Sequence, residues 1–89
     1  MRVVVPLGNV VITRNALDVL DQGSVLEALR RHTRCDWGEL CLEDIAVNNR
    51  ALEEGNRLLS AYQDSRQVKF WIITEWDRSA TTILLPEDY

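Results

Sequence analysis

The segment Val68-Lys69-Phe70-Trp71-Ile72-Ile73-Thr74 decides the fold, because its apolar side chains alternate onto both faces of a single strand. Two similar stretches flank it, at residues 57–62 and 81–85. Polar connections at 63–67 and 75–79 separate the three stretches, which therefore predict a three-stranded antiparallel β-meander. Since both faces of this sheet are apolar, each needs cover.

Helices upstream of the meander can cover one of these faces. The apolar spacing from residue 14, with Thr13 as N-cap and Gly23 as C-cap, predicts a first helix. Ser24 and Glu27 form a capping-box pattern, so a second helix is expected to begin at Val25.

A third helix is predicted from residue 42 or 43 to Glu54, where Gly55 ends it. Ile45, Asn49 and Leu52 share one stripe of this helix, which predicts that the Asn49 amide faces the core. Before the helices, residues 10–12 read as a short strand or extended arm. The expected fold is a single α+β domain over residues 1–89, with a short N-terminal extended segment, three helices, and the meander packed against them.

Composition limits the classes of function. A net charge of -4 opposes non-specific binding to nucleic acid. The apolar run at the N-terminus is too short for a signal peptide or a membrane span, so we expect a cytoplasmic protein without membrane association. The single histidine and the reduced pair Cys35 and Cys41 cannot form a four-ligand zinc site, and neither a metal nor a cofactor is predicted.

Polar and aromatic side chains from several parts of the chain could form a binding site. Some lie near the end of the second helix, some on the third helix, and others around the second connection of the meander. The candidate binding residues are His32, Asp36, Trp37, Asn49, Arg57, Glu75, Trp76, Asp77 and Arg78. No catalytic residue is assigned, because no nucleophile with a base and an orienting acid can be recognised.

Several motifs resemble a family of small bacterial proteins labelled "plasmid-related protein". They are the run at 31–40 around Asp36-Trp37-Gly38-Glu39, the segment 57–62, and the run 71–89 with Thr81-Thr82-Ile83-Leu84-Leu85-Pro86. Some members of the family carry the label of a type I restriction–modification subunit. The resemblance implies a bacterial cytoplasmic protein, often encoded near mobile DNA, and it implies no particular activity.

The function favoured by these observations is a non-enzymatic protein-binding or regulatory module associated with mobile DNA, acting through a protein partner or self-association. This hypothesis is based on the apolar residues on both faces of the meander, the net negative charge and the indole of Trp76. The alternative is a small hydrolase or toxin-like nuclease that uses His32 with a nearby carboxylate, Asp36, Glu39 or Glu75. DNA contact through Arg30, Arg31 and Arg34, and an acidic DNA mimic, are further alternatives.

Overall fold

Three helices pack on a four-stranded sheet in the computed structural model, which describes residues 4–89. The α+β class and the three helices predicted from the sequence are confirmed. None of the helices in this part of the chain combines the length and apolarity needed to cross a membrane. The elements are β1 (Asn9–Ile12), α1 (Arg14–Val19), α2 (Gln22–Thr33), α3 (Leu42–Glu54), β2 (Leu58–Gln63), β3 (Lys69–Thr74), β4 (Ala80–Leu84) and a final 3-10 turn (Pro86–Asp88).

The sheet has the strand order β1-β4-β3-β2 and is mixed. Strands β2, β3 and β4 form the predicted antiparallel meander. The expectation of a three-stranded sheet was wrong, because β1 adds a fourth strand that runs parallel to β4, with Val11 opposite Thr82. A parallel partner must return through a long crossover, and here that crossover contains the three helices and two strands.

The boundary between α1 and α2 differs from the sequence prediction. Helix α1 ends at Val19, with Leu20 as its C-cap. The Asp21 side chain accepts bonds from both the N–H (2.9 Å) and the hydroxyl (2.8 Å) of Ser24. Asp21 is therefore the N-cap of α2, and Gly23 lies inside its first turn. The predicted capping box and glycine C-cap were wrong because Asp21, three residues before Ser24, offers a stronger acceptor.

Helix α3 has the predicted bounds and ends at Gly55, which adopts a left-handed φ of 73°. The predicted orientation was off by one residue: Asn49 is exposed, and Asn48 is buried. The Asn48 side-chain amide donates to the Leu59 carbonyl, and its oxygen accepts from the Leu59 N–H at 3.2 Å. Asn48 thus bonds to β2 as a neighbouring strand would.

The two faces of the sheet have different cover. Phe70, Ile72 and Ile83 lie on one face and form the main core with Val25 and Ala28 of α2. A second cluster joins α3 to the start of β2 and to the N-terminal segment, through Val5, Trp37, Ala51 and Leu58. On the opposite face, which we call the second face, Ile73 and Leu84 are buried while Leu59, Ala61, Trp71 and Thr82 are partly exposed.

The outer edge of β2 is covered by the chain between α2 and α3. The Glu39 N–H donates to the Ala61 carbonyl (2.7 Å), and the Ala61 N–H donates to the Trp37 carbonyl (3.1 Å). Gly38 has a φ of 76°, and a Cβ there would collide with the Ala61 carbonyl. Only glycine allows this approach, so the edge of β2 depends on it.

The end of the chain is fastened to the start of α1. The Asp88 carboxylate accepts from the hydroxyl of Thr13 (2.6 Å), the amide of Asn15 (2.7 Å) and the backbone N–H of Leu85 (3.1 Å). Thr13 is also the N-cap of α1, as predicted, and accepts from the Ala16 N–H. The final turn and the first helix therefore hold each other in place.

Replacing the buried Asn48 by Ala should destabilise the protein by about 1–3 kcal/mol, because the Leu59 N–H and carbonyl lose their partners at a partly buried site. Urea unfolding followed by circular dichroism measures the loss. Glu53→Ala, at an exposed position of the same helix, is the control and should cost clearly less. Equal losses in both variants would contradict the proposed bonding of β2 by Asn48.

Candidate functional site

His32, the one histidine of the chain, lies at the centre of a buried polar network. It is in the last turn of α2 and faces the sheet, with none of its surface exposed. Its Nδ1 lies 2.5 Å from the Ser60 hydroxyl of β2, and its Nε2 lies 2.8 Å from the Thr74 hydroxyl of β3. Both nitrogens of the ring are therefore occupied.

The network continues across the sheet and fixes the tautomer of the imidazole. The Thr81 hydroxyl on β4 donates to the Leu7 carbonyl at 2.7 Å, so it accepts from the Thr74 hydroxyl at 2.8 Å. Thr74 then accepts from Nε2–H of His32, and Nδ1 accepts from Ser60. The hydroxyls of Thr74 and Thr81 each donate one bond and accept one. The His32 ring is therefore neutral and carries its proton on Nε2.

Burial also opposes a charge on this ring. Desolvation, with a smaller contribution from the positive charge of Arg78, lowers the pKa of His32 from 6.5 to about 4. A histidine with no exposed surface and no free nitrogen cannot exchange protons with a bound substrate. The geometry gives no support to the alternative function in which His32 acts as an acid or base.

Asp36 pairs with Arg31. Its carboxylate forms a two-bond pair with the Arg31 guanidinium, at 2.8 and 3.2 Å, and this contact lowers the pKa of Asp36. No hydrogen bond joins Asp36 to His32, the pair that the hydrolase alternative would use, because α2 ends at Thr33 and Cys35 takes a positive φ that redirects the chain.

Trp37 and Asn49 do meet, and their contact is structural. The indole of Trp37 is buried, packs edge-on against His32 with a centroid separation of 5.6 Å, and donates to Asn49 Oδ1 at 3.0 Å. Arg57 lies elsewhere, on the second face, where its guanidinium donates to the Tyr89 hydroxyl at 2.8 Å. The Tyr89 ring in turn stands edge-on to Trp71.

The charged side chains Asp77 and Arg78 of the turn between β3 and β4 form hydrogen bonds to nearby backbone groups. Asp77 accepts from the Ser79 N–H at 3.0 Å, and the hydrogen bonds to Ser79 lower the pKa of Asp77. Arg78, with a φ of 61°, directs its guanidinium at the carbonyls of Asn56 (2.7 Å), Glu75 (3.0 Å), Trp76 (3.3 Å) and Ala51 (3.4 Å). A cation at the carbonyl end of α3 complements the helix dipole.

The predicted residues therefore do not form one pocket. His32, Trp37 and Asn49 are linked by contacts, Glu75 to Arg78 form a separate turn, and Arg57 lies against Tyr89. Trp76 is 66% exposed at that turn. Sequence reasoning missed Ser60, Thr74 and Thr81, although three hydroxyl residues on an otherwise apolar strand face signal a buried polar partner.

An apolar groove crosses the second face between the sheet and α3. It consists of two adjoining depressions of about 370 and 290 Å³, which share Leu40 and Asp44. Val47, 62% exposed, forms part of the wall contributed by α3. We call this feature the second-face groove and define it by Leu40, Asp44, Val47, Leu59, Ala61 and Trp71.

Another depression, of about 410 Å³, lies along α2 and is lined mainly by polar residues. Its side chains already have partners: Asp21 caps α2, Arg31 pairs with Asp36, and the buried Asp64 accepts from three backbone N–H groups. Within residues 4–89, no group of three or more His, Cys, Asp or Glu side chains could hold a metal ion. The second-face groove is thus the better candidate for a binding site.

Comparison with known proteins found no matching family model, no matching curated protein and no matching solved structure.

The buried neutral His32 predicts a pH-dependent stability. In the unfolded chain its pKa is 6.5, whereas in the folded protein it is about 4, so between these pH values the unfolded state binds a proton that the folded state does not. Above pH 6.5 the neutral ring makes its full contribution to the free energy of unfolding. This contribution, roughly 3 kcal/mol, is lost as the pH falls toward 4. Urea titrations at several pH values measure this slope.

His32→Gln is the control for this slope, because the amide can bond to both hydroxyls and does not titrate. It should remove most of the dependence between pH 6.5 and 4 while keeping the acid loss due to carboxylates. An unchanged slope in the variant would contradict the assignment to His32.

Arg78→Gln should destabilise the protein by about 1–3 kcal/mol, because a neutral amide cannot satisfy four carbonyls or complement the end of α3. The exposed Arg50 on α3 provides the control, and Arg50→Gln should change stability by no more than about 0.5 kcal/mol. Thermal unfolding of both variants tests this, and equal effects would refute the role of Arg78.

Proposed function

We propose that the chain is a non-enzymatic protein-binding or regulatory module that acts in the bacterial cytoplasm by docking a partner protein in the second-face groove. The observation that carries the proposal is the partly exposed apolar floor of this groove, formed by Leu59, Ala61 and Trp71. Apolar and aromatic surface of this kind is enriched at the centres of protein interfaces.

Charge around the groove suits a protein partner. Asp44 is exposed and belongs to both depressions, while Lys69 lines one of them and Arg57 the other. An apolar floor with separate charges of both signs at its rim matches the usual arrangement of a hydrophobic centre with a polar border.

Nucleic acid is a poorer partner for this chain. The net charge is -4, and two of the three arginines at the end of α2 are paired, Arg30 with Glu27 and Arg31 with Asp36. Paired arginines have less capacity to neutralise phosphates. A link to mobile DNA rests on the resemblance to plasmid-related proteins, and we propose it as the setting in which the partner is met.

Photo-crosslinking tests this function. A benzoylphenylalanine at Val47 in the groove should yield one defined protein adduct in the host cell, and Ala61→Arg, which fills the groove floor, should abolish it. Leu26, on α2 and 59% exposed, is the matched control position and should give no such adduct. An adduct with a second copy of the chain would identify self-association through the groove.

Two results would overturn the proposal. One is the absence of any adduct at Val47, and the other is the same adduct at Leu26 with no effect of Ala61→Arg.

A further inference from the structure

The two edges of the sheet differ in whether other parts of the chain cover them. The edge at β2 is covered by residues 37–39 and bonded by Asn48. The edge at β1 has no covering segment among residues 4–89, and Val10 and Val11 are 46% and 49% exposed. Free sheet edges are normally protected by charges, proline, bulges or covering chain, because they pair readily with another strand.

Strand β1 is short, but it carries no charge or proline and no chain covers its outer edge within residues 4–89. The residues 8–13 are Gly-Asn-Val-Val-Ile-Thr, without charge or proline, in a chain of which 27% of residues are charged. Side chains on both faces of the strand are apolar, since Val10 and Ile12 lie on one face and Val11 on the other. Such a strand offers hydrogen-bonding groups and apolar surface together.

The hydrogen-bond pattern identifies which backbone groups are free. Asn9 and Thr13 direct their N–H groups toward β4, to the carbonyls of Ser79 (3.0 Å) and Ile83 (3.0 Å). Since direction alternates along a strand, Val11 also faces β4, and the N–H and carbonyl groups of Val10 and Ile12 face outward.

We propose that this outer edge is a self-association site, at which two copies of the chain pair their β1 strands antiparallel about a two-fold axis at Val11. In this register Val10 of one copy faces Ile12 of the other, and each pair exchanges two hydrogen bonds. All four outward groups of each strand are then satisfied by the same four groups of its copy. A register shifted by one residue along either strand would place outward groups opposite inward ones.

Charges at the ends of the strand fit this arrangement. The first charged residue after β1 is Arg14, and the axis sets it near the Gly8 end of the other copy. The β3–β4 turn lies at that end, where Ser79 is bonded to Asn9, and it carries the exposed carboxylate of Asp77. Residues of opposite charge therefore approach at each end of the paired strands, and the two copies of Arg14 lie at opposite ends.

Sedimentation of the full chain tests the association. Because the paired segment is short and buries less than the ~1,200 Å² of a standard interface, we expect a monomer–dimer equilibrium that depends on concentration. A chain that stays monomeric at millimolar concentration overturns the proposal, and so does a stable complex in which β1 pairs only with a strand of a different protein.

Val10→Pro separates association from folding. It removes an outward N–H and leaves the bonds from β1 to β4 intact, so the variant should be monomeric with nearly unchanged unfolding by urea. Val11→Lys places two ammonium groups opposite each other at the axis and should also give a monomer. Leu42→Lys, at an apolar residue that is 84% exposed on α3, is the control and should still dimerise. Dimers that persist in both β1 variants would refute the site.

A disulfide tests the register. In the Cys41→Ser background, Val11→Cys should form a covalent dimer on mild oxidation, because directly opposed residues without mutual hydrogen bonds lie ~4.5 Å apart at Cα. Val47→Cys, at a more exposed position on α3, should crosslink much more slowly. Equal crosslinking at both positions would contradict the two-fold axis at Val11.

Discussion

The bonding of the His32 imidazole to two strands is the constraint on which the arrangement of this protein depends. An unsatisfied polar group at a fully buried position costs ~1–3 kcal/mol, a large share of the ~5–15 kcal/mol by which a domain is stable. The ring must therefore meet Ser60 on β2 and Thr74 on β3 at the same time. Through Thr81 and the Leu7 carbonyl, the same chain of bonds reaches β4 and the segment before β1. Directional bonds thus set the position of α2 on the sheet, and apolar packing then fills the space around them.

Sequence patterns were sufficient where structure is decided locally. The meander and α3 follow from alternation, helical spacing and Gly55, all of which act over a few residues. The position of β1 in the sheet was not predictable in this way, because its partner β4 lies about seventy residues later and four residues of strand carry no information on their neighbour. The prediction that Asn49, and not Asn48, faces the core failed for a related reason. Adjacent residues of a helix lie ~100° apart around its axis, which is close to the width of the buried stripe, so the apolar pattern does not separate the two.

The candidate site was predicted less well than the fold. Arg78, Asp77 and Asp36 were candidates for one convergent binding site, yet here each bonds to nearby backbone or to a neighbouring charge. The second-face groove could not be foreseen, since its walls come from α3 and its floor from two strands. Its residues become neighbours only when α3 lies along the edge of β2. The apolar residues on both faces of β3 did indicate that the second face of the sheet needs cover.

The bonds from Asp88 to Thr13 and Asn15 have a consequence for the order of folding. They join residues more than seventy positions apart, as does the pairing of β1 with β4. Contacts so distant in sequence are entropically expensive to form early, and the local meander and α2 can form before them. Until β1 arrives, the open edge belongs to β4, and it can accept β1 from any copy of the chain. The last step of folding is therefore the one at which an exchange of strands between copies competes with the native monomer.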